Sequence, residues 1–195
     1  PEGVPDQRVK KLGVLGAGMM GAGIALVSAQ AGIEVVLIDR DQAAADKGKA
    51  YSESYMDKGI ARKKATPEKK EALLSLITAT ADLDALKGCD LIIEAVFEDP
   101  AVKAEITGKV EAIVGPDCIF ASNTSTLPIT MLAKASARPE QFSGIHFFSP
   151  VDKMMLVEII KGKATGDRAV AKALDFVRAI RKTPIVVNDA RFFYA

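Results

Sequence analysis

The chain has 195 residues, a net charge of +1, 49% hydrophobic and 26% charged residues; this is ordinary globular composition at a length that suits one domain or slightly more. So small a net charge gives no electrostatic case for nucleic acid or a membrane surface as partner, and no apolar run is long enough for a membrane span or a signal peptide. Cys89 and Cys118 stand apart in apolar surroundings, which excludes a disulfide or metal framework and reads as buried thiols of a reducing compartment, hence a cytoplasmic location.

Taken in order, Pro1-Glu2-Gly3-Val4-Pro5 has no Met and two prolines, so residues 1–8 read as a linker in a piece of something longer. Val9 to Leu15 is short, apolar and rich in β-branched residues, as a buried strand is. Gly16, Gly18 and Gly21 follow as G-x-G-x-x-G, and Met20 to Gln30 has helical composition with Gly32 at its C-terminal end. In a strand–turn–helix unit Gly16 makes the turn, Gly18 lets a pyrophosphate approach the backbone, and Gly21 brings helix and strand together. The helix N-terminus offers unpaired N–H groups and a positive dipole end to phosphate. The next strand, Val35 to Ile38, ends in Asp39, 18 residues after Gly21. A carboxylate there accepts from the adenosine ribose hydroxyls and repels a 2′-phosphate, favouring NAD over NADP, although Arg40 beside it could serve such a phosphate. Glycines used for packing alone would leave the acid at the end of an apolar strand unexplained.

Residues 41–64 are helical in character, and Thr66-Pro67 reads as an N-cap and first position opening a helix over 67–75. The hairpin would project between the second and third strands and carries Lys58, Arg62, Lys63 and Lys64, either a solvated face or a basic patch for an anionic substrate tail. Leu76 to Thr80 reads as a strand, Asp82 as the cap of a turn, and Cys89 to Phe97 as a long buried strand. Asp99-Pro100 opens a helix to about Val114, broken by Gly115-Pro116. Cys118 to Ala121 is a strand followed by Ser122-Asn123-Thr124-Ser125-Thr126, Leu127 to Ala135 a short helix, and Phe142 to Phe148 a strand. Met154 to Lys161 reads as a strand, Asp167 to Arg181 as a helix, and Pro184 to Asn188 as the last strand. Strands alternating with helices predict an α/β fold of the Rossmann type: a doubly wound, mostly parallel sheet with a helical hairpin after strand two.

In such sheets ligands bind beyond the carboxyl ends of the strands. Three groups fall there: Glu98 and Lys103, the hydroxyl-rich run Ser122 to Thr126, and His146. His146 is the only histidine and lies in an apolar frame. It is either a core histidine with a satisfied ring or a base with a pKa suited to taking a hydroxyl proton. Glu158 is a lone acid within Leu156-Val157-Glu158-Ile159-Ile160. A buried carboxylate needs a partner, and His146 or a lysine such as Lys161 would serve.

The ordered motifs Gly-x-Gly-x-Met-Gly-x-Gly-Ile-Ala, Ile-Glu-Ala-Val-Phe-Glu-Asp, Ala-Ser-Asn-Thr-Ser-Thr-Leu, His-Phe-Phe-x-Pro-Val and Leu-Val-Glu-Ile-Ile together resemble the NAD-binding domain of the L-3-hydroxyacyl-CoA dehydrogenases. The linker-like start resembles the form embedded in multifunctional fatty-acid oxidation proteins, after their enoyl-CoA hydratase part. The resemblance covers essentially the whole chain and implies a Rossmann domain over 9–189, with 190–195 beginning a helical domain that this sequence does not contain.

It further implies NAD-dependent oxidation of a 3-hydroxyacyl-CoA to a 3-ketoacyl-CoA in β-oxidation. By the same resemblance His146 matches the base, Glu158 the acid that orients it, and Ser125 the serine bonded to the reacting oxygen near the nicotinamide. Glu98 and Lys103 match residues near the nicotinamide ribose, Val96 and Phe97 line the cofactor, Met20 follows the phosphate turn, and the hairpin helps hold CoA. Two departures stand out: Ser149 replaces the family's usual Asn at a cofactor or substrate contact, and Arg191-Phe192 stands where Pro-Gly is usual. The piece alone is expected to be nearly inactive. Two other functions compete: a non-catalytic dinucleotide-binding protein on the same fold, and a sugar-acid-type β-hydroxyacid dehydrogenase, which shares the glycine loop but uses a lysine base, so that a His146–Glu158 pair argues against it.

Overall fold

The computed structural model describes residues 8–189. The expected linker (all but its last residue), the start of a helical domain and the Arg191-Phe192 departure lie outside the described residues.

Among the described residues eight strands form one sheet: β1 (Lys11–Leu15), β2 (Glu34–Ile38), β3 (Ile77–Thr80), β4 (Leu91–Glu94), β5 (Ile119–Ser122), β6 (Phe142–Phe147), β7 (Leu156–Lys161) and β8 (Thr183–Asn188). Their spatial order is β3-β2-β1-β4-β5-β6-β7-β8. The first six are parallel in the 3-2-1-4-5-6 order of a dinucleotide-binding sheet, so the chain reverses direction across the sheet between β1 and β4, where such folds bind ligands. Only β7 runs antiparallel to its neighbour β6, and β8 returns parallel to β7. The connection 148–155 contains no helix and is shorter than the dozen or so residues a parallel crossover needs, so β7 has to reverse.

Among the described residues six α-helices cover the faces: α1 (Met19–Gln30), α2 (Gln42–Ala61), α3 (Pro67–Ser75), α4 (Pro100–Glu111), α5 (Ile129–Leu132) and α6 (Asp167–Ala179). Alternate strand residues divide the core in two. Leu12, Val14, Val35, Leu37, Ile93, Phe147 and Ile159 meet α1 and α6 on one face. Leu15, Val36, Ile38, Ile92, Phe120 and Ile160 meet Val110 of α4 and Leu132 of α5 on the other. Gly21 is fixed by close approach: a Cβ there would lie 1.7 Å from the Gly16 carbonyl oxygen. The hairpin forms as the capping residues dictate. Asp41 accepts the Ala44 N–H, and Thr66 accepts the Lys69 N–H at 3.2 Å ahead of Pro67.

Two expected elements depart most from the lengths the sequence suggested. The run Cys89 to Phe97 pairs in the sheet only over Leu91–Glu94. Beyond Glu94 the Ala95 N–H still donates to the Leu15 carbonyl at 2.7 Å, and the next N–H, of Val96, goes to the Glu94 carboxylate at 2.8 Å. The helix expected over Leu127 to Ala135 is α-helical only for Ile129–Leu132 and continues as a 3-10 turn, Ala133–Ala135. Pro128 sits extended ahead of it, and the Thr124 hydroxyl accepts the Leu127 N–H.

Cys89 and Cys118 are buried and unpaired. Burial pushes each thiol up to about 12, well above the usual range for cysteine. Both are therefore expected to be inert to an aromatic disulfide reagent at pH 8 in the native protein and to titrate fully in urea; a rapid reaction of the folded protein would contradict this burial.

Candidate active site

The cofactor side is built at the β1–α1 turn. Gly16 takes φ +97° and donates its N–H to the Ile38 carbonyl at 2.8 Å, and a Cβ on it would lie 2.5 Å from the Ala95 carbonyl oxygen. The same construction on Gly18 meets nothing within 4 Å, which leaves the backbone open where a pyrophosphate would approach. Gly18 caps α1 with no side-chain bond, and no acid occupies the first turn, so the helix N-terminus presents bare N–H groups. Asp39 stands at the end of β2. Its Oδ2 accepts the Ala17 N–H at 2.8 Å and its Oδ1 the Arg40 N–H at 2.7 Å. The carboxylate thus braces the glycine loop and keeps further lone pairs for ribose hydroxyls. Arg40 turns to Asp41, at 3.5 Å. These residues fit an adenosine diphosphate moiety.

Met20 packs against the core beneath the loop. The exposed methionine is its neighbour Met19, whose Sδ accepts the Ser149 hydroxyl at 3.6 Å. Ser149, at the end of the β6 segment, therefore reaches across to the phosphate loop.

Beyond β4 the chain presents Phe97, 85% exposed, beside a half-buried Val96. Glu98 accepts hydroxyls of Thr124 and Thr126 at 2.7 and 2.8 Å. Burial alone would raise the pKa of its carboxyl, but these hydroxyls and the Lys103 ammonium hold it below the usual carboxylate range. Ser125 lies exposed between the two threonines. Lys103 is fully buried on α4 and meets Glu94 at 2.6 Å and Glu98 at 3.3 Å. The sequence reading singled out Glu98 and Lys103 but missed Glu94. The available signal was the one that marked Glu158: a lone acid inside an apolar strand, here Leu91-Ile92-Ile93-Glu94.

His146 and Glu158 lie directly opposite each other on β6 and β7, and Nδ1 is 3.0 Å from Glu158 Oε1. Both are partly exposed, on the sheet face opposite Ile145 and Phe147. Phe148 contacts the imidazole edge-on, with ring centroids 4.6 Å apart. Asn123, just after β5, accepts the Phe147 N–H at 2.8 Å and so fixes the strand immediately beyond His146. With Nδ1 directed to a carboxylate, Nε2 is the nitrogen left for an external proton.

The hairpin borders a cleft of about 850 Å³ whose walls include Tyr51, Tyr55, Lys58, Arg62, Lys64 and Lys153. Lys63 instead occupies the α2–α3 turn at φ +59°. The Tyr51 hydroxyl donates to Asp152 at 3.1 Å, tying α2 to the loop that follows Ser149. That loop is held from below by Lys182, whose Nζ donates to the carbonyls of Val151 and Met154, each at 2.6 Å. No described helix is long and apolar enough to cross a membrane.

Known proteins share this architecture. The fatty acid oxidation complex subunit alpha of Idiomarina loihiensis is 46% identical over 187 residues, which is 96% of this chain and 26% of the relative. The protein of the same name from a Shewanella species is 43% identical over 194 residues, covering 99% of this chain and 28% of the relative. This chain thus spans about a quarter of the length of these curated relatives. The crystal structure of (S)-3-hydroxybutyryl-CoA dehydrogenase PaaH1 from Ralstonia eutropha superposes with a TM-score of 0.90 at 39% identity, over 93% of this chain and 64% of that one. Residues 11–190 match the family described as "3-hydroxyacyl-CoA dehydrogenase, NAD binding domain", and the chain belongs to that family, with NAD as its cofactor.

Proposed function

We propose that this chain is the cofactor half of an enzyme that oxidises L-3-hydroxyacyl-CoA to 3-ketoacyl-CoA in fatty-acid β-oxidation. The observation that carries the reading is the partly exposed His146–Glu158 pair, 3.0 Å apart near the carboxyl end of β6. Ser149 of the same segment reaches the phosphate loop. NAD, when bound, supplies the acceptor for the hydride leaving C3. His146 takes the substrate hydroxyl proton at Nε2, and Glu158 holds the ring in the tautomer that leaves Nε2 free and stabilises the imidazolium that results. Ser125 bonds the reacting oxygen. Gly16, Gly18 and Gly21 hold the pyrophosphate turn, Met20 supports it, and Asp39 takes the adenosine ribose. Val96, Phe97, Glu98, Lys103, Ser125 and Ser149 surround the nicotinamide half. A helical domain and an enoyl-CoA hydratase domain in the parent protein complete this reading, as does the cytoplasmic location that two buried free thiols favour.

The test is oxidation of NADH by acetoacetyl-CoA in the complete protein; no turnover with a competent NADH site would leave a dinucleotide-binding role alone. The cationic hairpin cleft is the place for the CoA moiety. Reversing charge at Lys58 and Arg62 together is expected to raise KM for acetoacetyl-CoA about tenfold with kcat little changed, since such contacts are shared by ground and transition states. An unchanged KM would remove the hairpin from the substrate site.

A further inference from the structure

Lys182, between α6 and β8, is a buried lysine that the chemistry above does not use; it is 7% exposed. Arg181 leaves α6 with φ +62°, and the Lys182 N–H then returns to the Val177 carbonyl at 3.1 Å. Its Nζ donates to the carbonyls of Val151 and Met154, each at 2.6 Å. Neither acceptor is a carboxylate, and burial pushes the pKa of the ammonium below its ordinary value. A charge kept in so dry a place on neutral acceptors is a weak source of stability, so what it holds is the better guide to its use.

It holds the connection 148–155. The Pro150 carbonyl there accepts the Lys153 and Met154 N–H groups, both at 3.1 Å, so the segment closes into a turn. Val151 of this turn is buried and packs on α1 at Gly23, where a Cβ would lie 2.8 Å from it. Asp152 accepts the Tyr51 hydroxyl of α2 at 3.1 Å. Thr183, next to Lys182, donates its N–H to the Met155 carbonyl at 2.8 Å. Pro150, Asp152 and Lys153 line the same cleft of about 850 Å³ as Tyr51, Lys58 and Arg62 of the hairpin. We propose that Lys182 is a positioning residue for the acyl-CoA: it fixes the loop wall of the hairpin cleft, and the Tyr51–Asp152 bond sets that wall against α2. This rests on the CoA moiety occupying the hairpin cleft, as in the function proposed above.

The test is steady-state kinetics of the complete protein with acetoacetyl-CoA and NADH, with folding followed by circular dichroism and melting. Lys182→Met removes both carbonyl bonds from a side chain of similar shape. It is expected to raise KM for acetoacetyl-CoA about tenfold and leave kcat within about threefold, because a displaced wall weakens ground and transition states alike. Tyr51→Phe cuts only the bond between loop and hairpin and is expected to raise KM about threefold. The double variant should be no worse than Lys182→Met alone, since two restraints on one loop are not additive. A folded Lys182→Met protein with native KM, however far its melting temperature falls, would make the lysine purely structural. A combined rise near the product, about thirtyfold, would mean that Lys182 acts elsewhere than on this loop. Either result overturns the proposal. Should Lys182→Met fail to fold, Lys182→Gln keeps a donor for one carbonyl and is expected to raise KM about threefold. Unchanged KM in that variant, or its failure to fold as well, again overturns the idea. Failure of the CoA reading itself would appear separately, as a KM indifferent to charge reversal at Lys58 and Arg62.

Discussion

Replacing His146 with Gln is expected to cut turnover of acetoacetyl-CoA in the complete protein by about a hundredfold to ten-thousandfold, while NADH affinity changes little. Gln preserves a polar side chain of similar reach that can still donate to Glu158 Oε1, but it accepts no proton near neutral pH. The loss therefore falls on kcat rather than on binding, the signature of a group used in the transition state. The location supports the same split. The imidazole sits near the carboxyl end of β6 with Phe148 against it, while the glycine loop and Asp39 lie at β1 and β2, on the far side of β4 and β5. Glu158→Gln should be milder than loss of the base, because it removes the orienting charge and leaves the base in place. Steady-state kinetics with acetoacetyl-CoA and NADH, run beside a direct NADH titration, decide the matter. Turnover within a few-fold of the unsubstituted protein would eliminate His146 as the base.

The second large effect is expected at Asp39. Its replacement by Ala removes a charged acceptor for the ribose hydroxyls, a class of bond worth about 1.5–3 kcal/mol, and so weakens NADH by roughly ten- to a hundredfold. The structure adds a complication that the sequence alone did not show. Asp39 also accepts the Ala17 N–H at 2.8 Å, so the Ala variant loosens the glycine loop as well as losing the ribose contact. Asp39→Asn separates the two effects: a carbonyl oxygen can still accept from Ala17, while the negative charge is gone. With Arg40 adjacent, the Asn variant should bind NADPH better relative to NADH than the native chain does. Paired titrations with both nucleotides measure this. An unchanged preference would show that the carboxylate does not face the ribose.

The parts of this molecule that were legible beforehand are those specified by neighbouring residues. The β1–α1 turn is local: strand, three glycines, helix and a terminal acid fall within 31 residues, 9–39, and each does a job that sequence distance already constrains. The second helix of the hairpin was equally readable because Thr66 and Pro67 are capping residues whose action reaches only three positions along the chain. The two shortened elements show the reverse. Ala95 to Phe97 is as apolar as the strand before it, yet the Val96 N–H goes to the Glu94 carboxylate, itself anchored by Ser122 and Lys103 from β5 and α4, and not to a neighbouring strand. No window of sequence contains that competition.

Composition, hydrophobic period and glycine spacing, which act over a few residues, thus determined that this chain is a Rossmann-type domain with a dinucleotide turn at its N-terminal end. They also marked His146 and Glu158 as candidates, with the acid's partner left open between His146 and a lysine such as Lys161. Only the tertiary structure made the join, because the short connection 148–155 reverses β7 and sets His146 directly against Glu158. A slip of one residue in that register would have sent the carboxylate to the opposite face of the sheet. The buried Glu94–Lys103 pair is likewise a product of packing, since two charges nine residues apart tolerate such burial only when strand and helix close over both at once.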